Sequence, residues 1–249
     1  SSSLQLGIIQ FKSQPPVFEP VLMISNQAKS KEVLQNILAK YPENFIGLGK
    51  LNNHKVKLHV DENKKPVCVP PRSIPYHLQE RAQKVLDEMI DQGVIEEHPS
   101  QEPAPWISNV VLAPKPDGSI RMTLDARNVN KAIRATNQPI PRQEDIRVKL
   151  AGCKVFSKLD FKSAFWQLEL EEDSRYLTVF HANGKLYRYK RLTMGVKPAQ
   201  GELNNALQPI FAHIPGAHLI HDDLILATKT DKDHACLLYT SDAADDYRS

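Results

Sequence analysis

The run from His218 to Thr228, His-Leu-Ile-His-Asp-Asp-Leu-Ile-Leu-Ala-Thr, sets the tightest limit on how this chain can fold. Two carboxylates, Asp222 and Asp223, stand between the triplets His218-Leu219-Ile220 and Leu224-Ile225-Leu226. A charged pair inside an apolar run is costly to place unless something such as a metal cation compensates it. The run therefore reads as strand, turn and strand, with the acidic pair at the reversal. A second stretch, Val155-Phe-Ser-Lys-Leu-Asp-Phe-Lys-Ser-Ala-Phe-Trp-Gln167, reads as a strand that carries Asp160 to its end, then a short turn bearing Phe165. If these two strands are neighbours in one sheet, their carboxylates meet at one end of it. That is a hard-oxygen cluster suited to Mg²⁺ or Mn²⁺. Two such ions about 4 Å apart activate an attacking hydroxyl and stabilise the departing oxygen in displacement at phosphorus. Successive strand residues point to opposite faces, so Asp222 and Asp223 share a site only if the turn between them is tight. The competing reading is a plain β-turn, where Asp is favoured.

The other elements are read from periodicity and turn chemistry. Residues 1–44 read as a linker or the fringe of a preceding domain, apart from a short amphipathic helix over Lys31–Tyr41 stopped by Pro42. Val56, Leu58 and Val60 alternate, and the chain then runs extended and proline-punctuated to about residue 75. Ala82, Val85, Leu86, Met89 and Ile90 fall at helical spacing, with Gly93 where a C-terminal cap belongs. Asp117-Gly118 and Asn183-Gly184 each separate strand-like runs and predict hairpins. A helix is expected from Pro198 or Ala199, with Leu203, Ala206, Leu207, Ile210 and Phe211 inward, kinked at Pro209 and ended by Pro215-Gly216. Hairpins separated by helices argue an α+β fold with a mainly antiparallel sheet.

Composition narrows the function classes. A 41% hydrophobic content over 249 residues suffices for a sizeable core. The net charge of +3 permits a polyanionic partner without requiring one. Three scattered cysteines, Cys68, Cys153 and Cys236, argue against a zinc site or a disulfide framework. There is no membrane-length apolar run, and the histidines lack HxxxH or HExxH spacing. Lys115 and Arg121, on a projecting hairpin, read either as a clamp for a triphosphate or as solvated surface charges. Phe165 reads as a wall beside a sugar or as core. Gly195 reads as a close approach of backbone to a base pair or as a turn.

The joint order of these pieces is more specific than any one of them. With Arg72-Ser-Ile-Pro75, Gly93-Val-Ile-Glu96, Trp106-Ile-Ser108, Lys115-Pro-Asp-Gly118, Leu124-Asp125, Asn130, Phe156-Ser-Lys-Leu-Asp160, Gly195 and Asp222-Asp223, the chain resembles the reverse transcriptase region of gypsy-type long-terminal-repeat retrotransposons, from about Phe45 to about His234. The resemblance implies a right-hand polymerase with the thumb absent: an N-terminal extension and fingers over 45–150, and palm over 151–235. It implies Asp160, Asp222 and Asp223 as catalytic residues and ligands for two Mg²⁺ ions, with Mn²⁺ as a substitute. It implies nucleotide-binding roles for Lys115, Arg121, Met194 and Gly195, a ligand role for the Phe161 carbonyl, and a gate at Phe165 that rejects a ribose 2′-hydroxyl.

The implied partners are an RNA or DNA template with primer, deoxynucleoside triphosphates, and the protease, ribonuclease H and integrase domains of a pol polyprotein. No membrane partner is implied, and the expected location is cytoplasmic, in a virus-like particle or the nucleus. Three departures accompany the likeness. Ile220 stands where Tyr is usual, Leu192-Thr-Met194 replaces a loop where Pro and Phe are common, and residues 236–249 match nothing expected, reading as an anomalous tail, disordered or artefactual. The last motivates an alternative function: a catalytically silent remnant that at most binds nucleic acid.

Overall fold

The computed structural model describes residues 18–23, 47–51, 54–116, 118–135 and 143–239. The helix expected over 31–41 lies outside the described residues. The chain forms two compact units, each drawn from separated stretches: residues 1–52, 138–164 and 203–249 in one, 53–137 and 165–202 in the other. Their interleaving departs from the contiguous division at residue 150 read from the sequence.

The first unit is built on a four-stranded sheet of order β1 (Phe18–Met23), β6 (Val155–Phe161), β11 (Asp223–Thr228), β10 (Ala217–Ile220). All its pairings are antiparallel. β1 corrects the reading of residues 1–44 as linker, because Phe18–Met23 pairs along β6 from Phe161 to Ser157. Along β6 the alternation is as a half-buried strand requires: Val155, Ser157 and Phe161 are buried, while Lys158 is exposed and Asp160 half-buried on the opposite face. Beyond the short helices α2 (Gln143–Leu150) and α3 (Glu172–Arg175), helix α4 (Ala199–Phe211) sends Leu203, Leu207 and Phe211 inward at one-turn spacing, and the Phe211 ring lies 5.9 Å from that of Phe161. Pro209 lies within the last turn of this helix, where it removes the N–H that would donate to the Asn205 carbonyl.

Helix α5 (Asp231–Tyr239) is fixed to the sheet by His234, whose ring reaches Ser157 Oγ at 2.7 Å and Thr228 Oγ1 at 3.0 Å. It continues through Tyr239, so the stretch from 236 begins as helix and not as a disordered tail. A Cβ placed on Gly216 would meet Leu237 Cδ2 at 3.3 Å and the Ala227 carbonyl oxygen at 2.6 Å, which is why only glycine fits there.

The second unit holds three small sheets. One is the hairpin of β4 (Val110–Pro114) and β5 (Ile120–Leu124). A second joins β3 (Ile95–Glu97), β9 (Lys185–Tyr189) and β8 (Phe180–Ala182), all antiparallel. The third pairs β2 (Lys55–Val56) with β7 (Glu169–Leu170) in parallel. Helix α1 (Tyr76–Asp91) buries Ala82, Leu86 and Met89, three of the five apolar residues read at helical spacing, while Val85 is half-buried and Ile90 exposed. Its end is a Schellman motif: Gly93 at φ +65° donates to the Ile90 carbonyl, and Val94 donates to that of Met89. The packed centre of this unit is Phe180 against Tyr187 and Tyr189, with Leu168, Leu170 and Leu177 buried.

Candidate active site

The acidic site forms in the first unit, where β6 and β11 run side by side. Their register sets Asp160 directly opposite Asp223, then Leu159 opposite Leu224 and Lys158 opposite Ile225. Directly paired residues in an antiparallel ladder share a face, so the two carboxylates are cross-strand neighbours. The ladder continues one step further, with Phe161 N–H directed at the Asp222 carbonyl at 3.5 Å. β10 and β11 pair Ile220 with Asp223, leaving His221 and Asp222 as the whole connection. This is the tight turn that sharing of the site by both aspartates requires. His221 sits at φ +57° and Ser163, just after the Asp160 strand, at φ +48°. Each left-handed non-glycine residue costs on the order of 1–2 kcal/mol, and such positions cluster at functional sites.

Lys158 is the group that sequence reasoning missed. Its Nζ lies 2.7 Å from Asp223 Oδ2, a diagonal contact across the two strands. The hydrogen bond to Asp223 is the main cause raising the Lys158 pKa, and the charges of Asp223, Asp160 and Asp222 add to it against desolvation. The signal was legible: a lysine two residues before an aspartate on one strand must share its face.

The donor chemistry fits a divalent cation. Hard carboxylate oxygens sit on adjacent strands, and an ammonium already takes a cation's place against one of them. The full ligand set is not assembled, however. Among the described residues no group of three or more His, Cys, Asp or Glu side chains is placed to hold a metal ion. The register sets the backbones of Asp160 and Asp223 side by side, with Asp222 next in the chain.

The predicted nucleotide-binding residues lie in the second unit, apart from Phe161. Lys115 and Arg121 are exposed on the β4–β5 hairpin. Arg121 pairs with Ala113, and Lys115 N–H donates to the Ser119 carbonyl at 2.8 Å, so both cations occupy one face of the hairpin. Phe161 is buried, and the structure presents its ring to the core. Phe165 is also buried, at 9% exposure, in the 3-10 turn Ala164–Gln167.

Met194 is 42% exposed, and Gly195 adopts φ +93° with the Leu124 carbonyl 3.4 Å from where a Cβ would stand. Asn130, a mere landmark in the sequence, fastens this loop at two points. Its Nδ2 donates to the Gly195 carbonyl at 2.7 Å, and its Oδ1 accepts from Lys197 N–H at 2.8 Å. Just before it, Arg127 binds the Asp125 carboxylate at 2.7 and 2.6 Å and holds its pKa below the ordinary value.

An α+β chain whose mostly antiparallel sheets set one aspartate against another at adjacent strand ends has the architecture of part of a polymerase, and its structural neighbours agree. A crystal structure of prototype foamy virus protease-reverse transcriptase matches with a TM-score of 0.74 and 25% identity, over 86% of this chain and 29% of that one. The foamy viral protease-reverse transcriptase in complex with RNA/DNA hybrid matches at 0.72 and 23% identity, over 92% of this chain and 32% of that one. The chain belongs to the reverse transcriptase (RNA-dependent DNA polymerase) family, whose pattern covers residues 113–244.

Relatives include an uncharacterised Caenorhabditis elegans protein, 29% identical over 94% of this chain and 19% of its own length. The retrovirus-related Pol polyprotein from transposon 412 of Drosophila melanogaster is 31% identical over 81% of this chain and 17% of its own. The enzymatic polyprotein of Cestrum yellow leaf curling virus is 29% identical over 94% and 37%. The chain thus spans well under half the length of these relatives. The family match reaches residue 244, which overturns the expectation that nothing beyond residue 235 fits the pattern. Among the described residues no helix is long and apolar enough to cross a membrane.

Proposed function

We propose that this chain is the fingers and part of the palm of an RNA-directed DNA polymerase from a gypsy-type retroelement pol polyprotein, in which protease, ribonuclease H and integrase are further domains. Asp160, Asp222 and Asp223 are its catalytic carboxylates. The observation that carries the reading is the register that sets Asp223 opposite Asp160 within a chain of the reverse transcriptase family. Bound there, Mg²⁺ or Mn²⁺ would supply charge neutralisation at the α-phosphate and lower the pKa of the primer 3′-hydroxyl. The three aspartates would hold two such ions by their carboxylates, with the Phe161 carbonyl as a further ligand.

Lys115 and Arg121, displayed on one face of their hairpin, bind the triphosphate oxygens as point charge and fork respectively. Gly195 lets backbone approach the base pair, and Asn130 keeps that loop in place. Phe165 excludes a 2′-hydroxyl by its bulk. The substrate class is a primer paired to RNA or DNA, as with the foamy viral enzyme bound to RNA/DNA hybrid. Positioning and electrostatics supply most of the rate. The proposed setting is the cytoplasm, with a virus-like particle or the nucleus as the alternatives.

The test is extension of a DNA primer on an RNA template with Mg²⁺. Extension by the parent chain that survives Asp222→Asn undiminished removes the assigned role. A second reading, a silent module that binds nucleic acid without chemistry, is favoured by one observation: Asp223 is engaged by Lys158. It requires metal-independent primer-template binding that weakens steeply with salt, and no extension.

A further inference from the structure

We propose that Lys158 is a built-in counter-cation of the acidic site, holding Asp223 in place in the metal-free protein and yielding the carboxylate when a divalent ion enters. This rests on the reading of Asp160, Asp222 and Asp223 as metal-holding groups. The geometry is specific to the strand pair. Lys158 and Asp160 are two residues apart on β6, and Asp223 stands directly across from Asp160. One ammonium therefore occupies the same sheet face as two carboxylates, with 2.7 Å between Nζ and Asp223 Oδ2. A third carboxylate, Asp222, is the residue next to Asp223 and lies in the two-residue turn. An ammonium in contact with Asp223 Oδ2 opposes the entry of a metal ion there, because two cations brought to contact distance of one carboxylate repel each other.

The pair is partly solvated, with side-chain exposures of 47% for Lys158 and 23% for Asp223. Exposed pairs of this kind are weak, so the ammonium is a placeholder that a divalent ion displaces at modest cost. Its flexible four-carbon stem lets it swing aside without moving the backbone. Without it, the carboxylates at adjacent strand ends would repel one another in the empty site, and the turn at His221 would loosen. Lys158 thus serves opposite ends in the two states: it steadies the empty site and competes with the filled one.

Mn²⁺ binding to the 249-residue chain, read from the paramagnetic resonance signal of free Mn²⁺ without nucleotide, tests this directly. Lys158→Met removes the charge and keeps the stem, with Lys158→Gln as a second variant should the first fold poorly. Lys154→Met, at an exposed lysine four residues earlier, removes the same charge away from the carboxylates. The expected result is Mn²⁺ affinity roughly two- to fivefold tighter in the Lys158 variants and unchanged in Lys154→Met. The Lys158 variants should also melt below the parent without metal and level with it at saturating Mn²⁺. Unchanged or weaker Mn²⁺ binding in both Lys158 variants overturns the inference, as does equal tightening in Lys154→Met, which would mark a mere net-charge effect. Binding that is lost in Asp222→Asn yet indifferent to Lys158 sinks the inference alone. Parent binding that Asp222→Asn leaves intact, or no binding by any form, sinks the metal-site reading with it.

Discussion

Among the described residues two hairpins are closed by two-residue connections, and they are built by different rules. Asn183-Gly184, between β8 and β9, puts both residues in the left-handed region, at φ +45° and +77°. That is the backbone of a type I′ turn, which matches the twist of the flanking strands, and Asn-Gly is the pair best suited to it. His221-Asp222, between β10 and β11, puts a histidine at φ +57° with no glycine to help. Asn183 also turns its amide to Gln83 at 2.7 Å, so the first turn is tied into its own unit. The first hairpin spends its sequence on folding. The second accepts strain and places a carboxylate at the reversal, beside another that faces Asp160. Where local rules are broken without an evident structural return, the break points to function.

The largest expected effect separates the two hairpins by activity. Asp222→Asn, nearly isosteric, should lower primer extension by at least about 10²-fold while leaving the melting temperature nearly unmoved. Gly184→Ala should do the reverse. A methyl group at φ +77° costs about 1 kcal/mol or more, a melting shift of roughly 2–4 °C for a chain of this size, with extension per folded molecule unchanged. If Gly184→Ala abolishes extension as thoroughly as Asp222→Asn, the contrast between a scaffolding and a catalytic turn is wrong. A smaller effect probes the strain itself. His221→Gly relieves the left-handed residue but adds unfolded-state freedom, so calorimetry should record a net gain of at most about 1 kcal/mol. A clear loss would mean that His221 makes stabilising contacts which outweigh its backbone strain.

The same contrast explains what the sequence disclosed. Strong local signals were legible because their physics is local. Asn183-Gly184 and Asp117-Gly118 mark hairpins, and Gly93 caps α1 through a motif closed within a few residues. The pairing of the Asp160 strand with the Asp223 strand was legible as a condition: a charged pair in an apolar run needs company, and family resemblance named the partner. What stayed hidden depends on contacts between distant stretches. Nothing in residues 18–23 announces that they pair with β6, since Pro20 argues against a strand and is tolerated only where the ladder ends at an edge. Asn130 carries no mark of its two bonds to a loop 65 and 67 residues away. Phe165 was open between gate and core on sequence; its burial at 9% exposure leaves the gate role to be tested with substrate. The end of the chain misled because residues 236–239 look unlike the family yet continue a helix that His234 anchors.

The smallest effect concerns that anchor and distinguishes the two units by pH. Thr228 Oγ1 donates to the Thr230 carbonyl at 3.1 Å, so toward His234 Nδ1, 3.0 Å away, it can only accept. Nδ1 therefore carries the proton, and Nε2 accepts from Ser157 Oγ at 2.7 Å. This neutral tautomer satisfies every partner; an imidazolium would force the Ser157 hydroxyl to reverse inside the core. Burial accordingly lowers the His234 pKa below 6.5, against a smaller opposing pull from Asp231. The sign follows from linkage. The unfolded chain takes up the proton near pH 6.5 while the folded one resists, so the stability this residue confers is complete above that pH and drains away as pH falls toward the depressed folded value. Hydrogen exchange at pH 7.5 and 5.5 should show α5 and the ends of β6 and β11 losing protection first. His181, in the other unit, is also lowered by burial, but no comparable pair of hydroxyl partners surrounds it among the described contacts, so acid should loosen β8 less. His234→Gln removes the titrating group. If α5 in that variant still loses protection with acid as steeply as in the parent, the histidine is not the lock, and the anchoring of the C-terminal helix must be sought in the packing of Leu237 over the space that Gly216 leaves open.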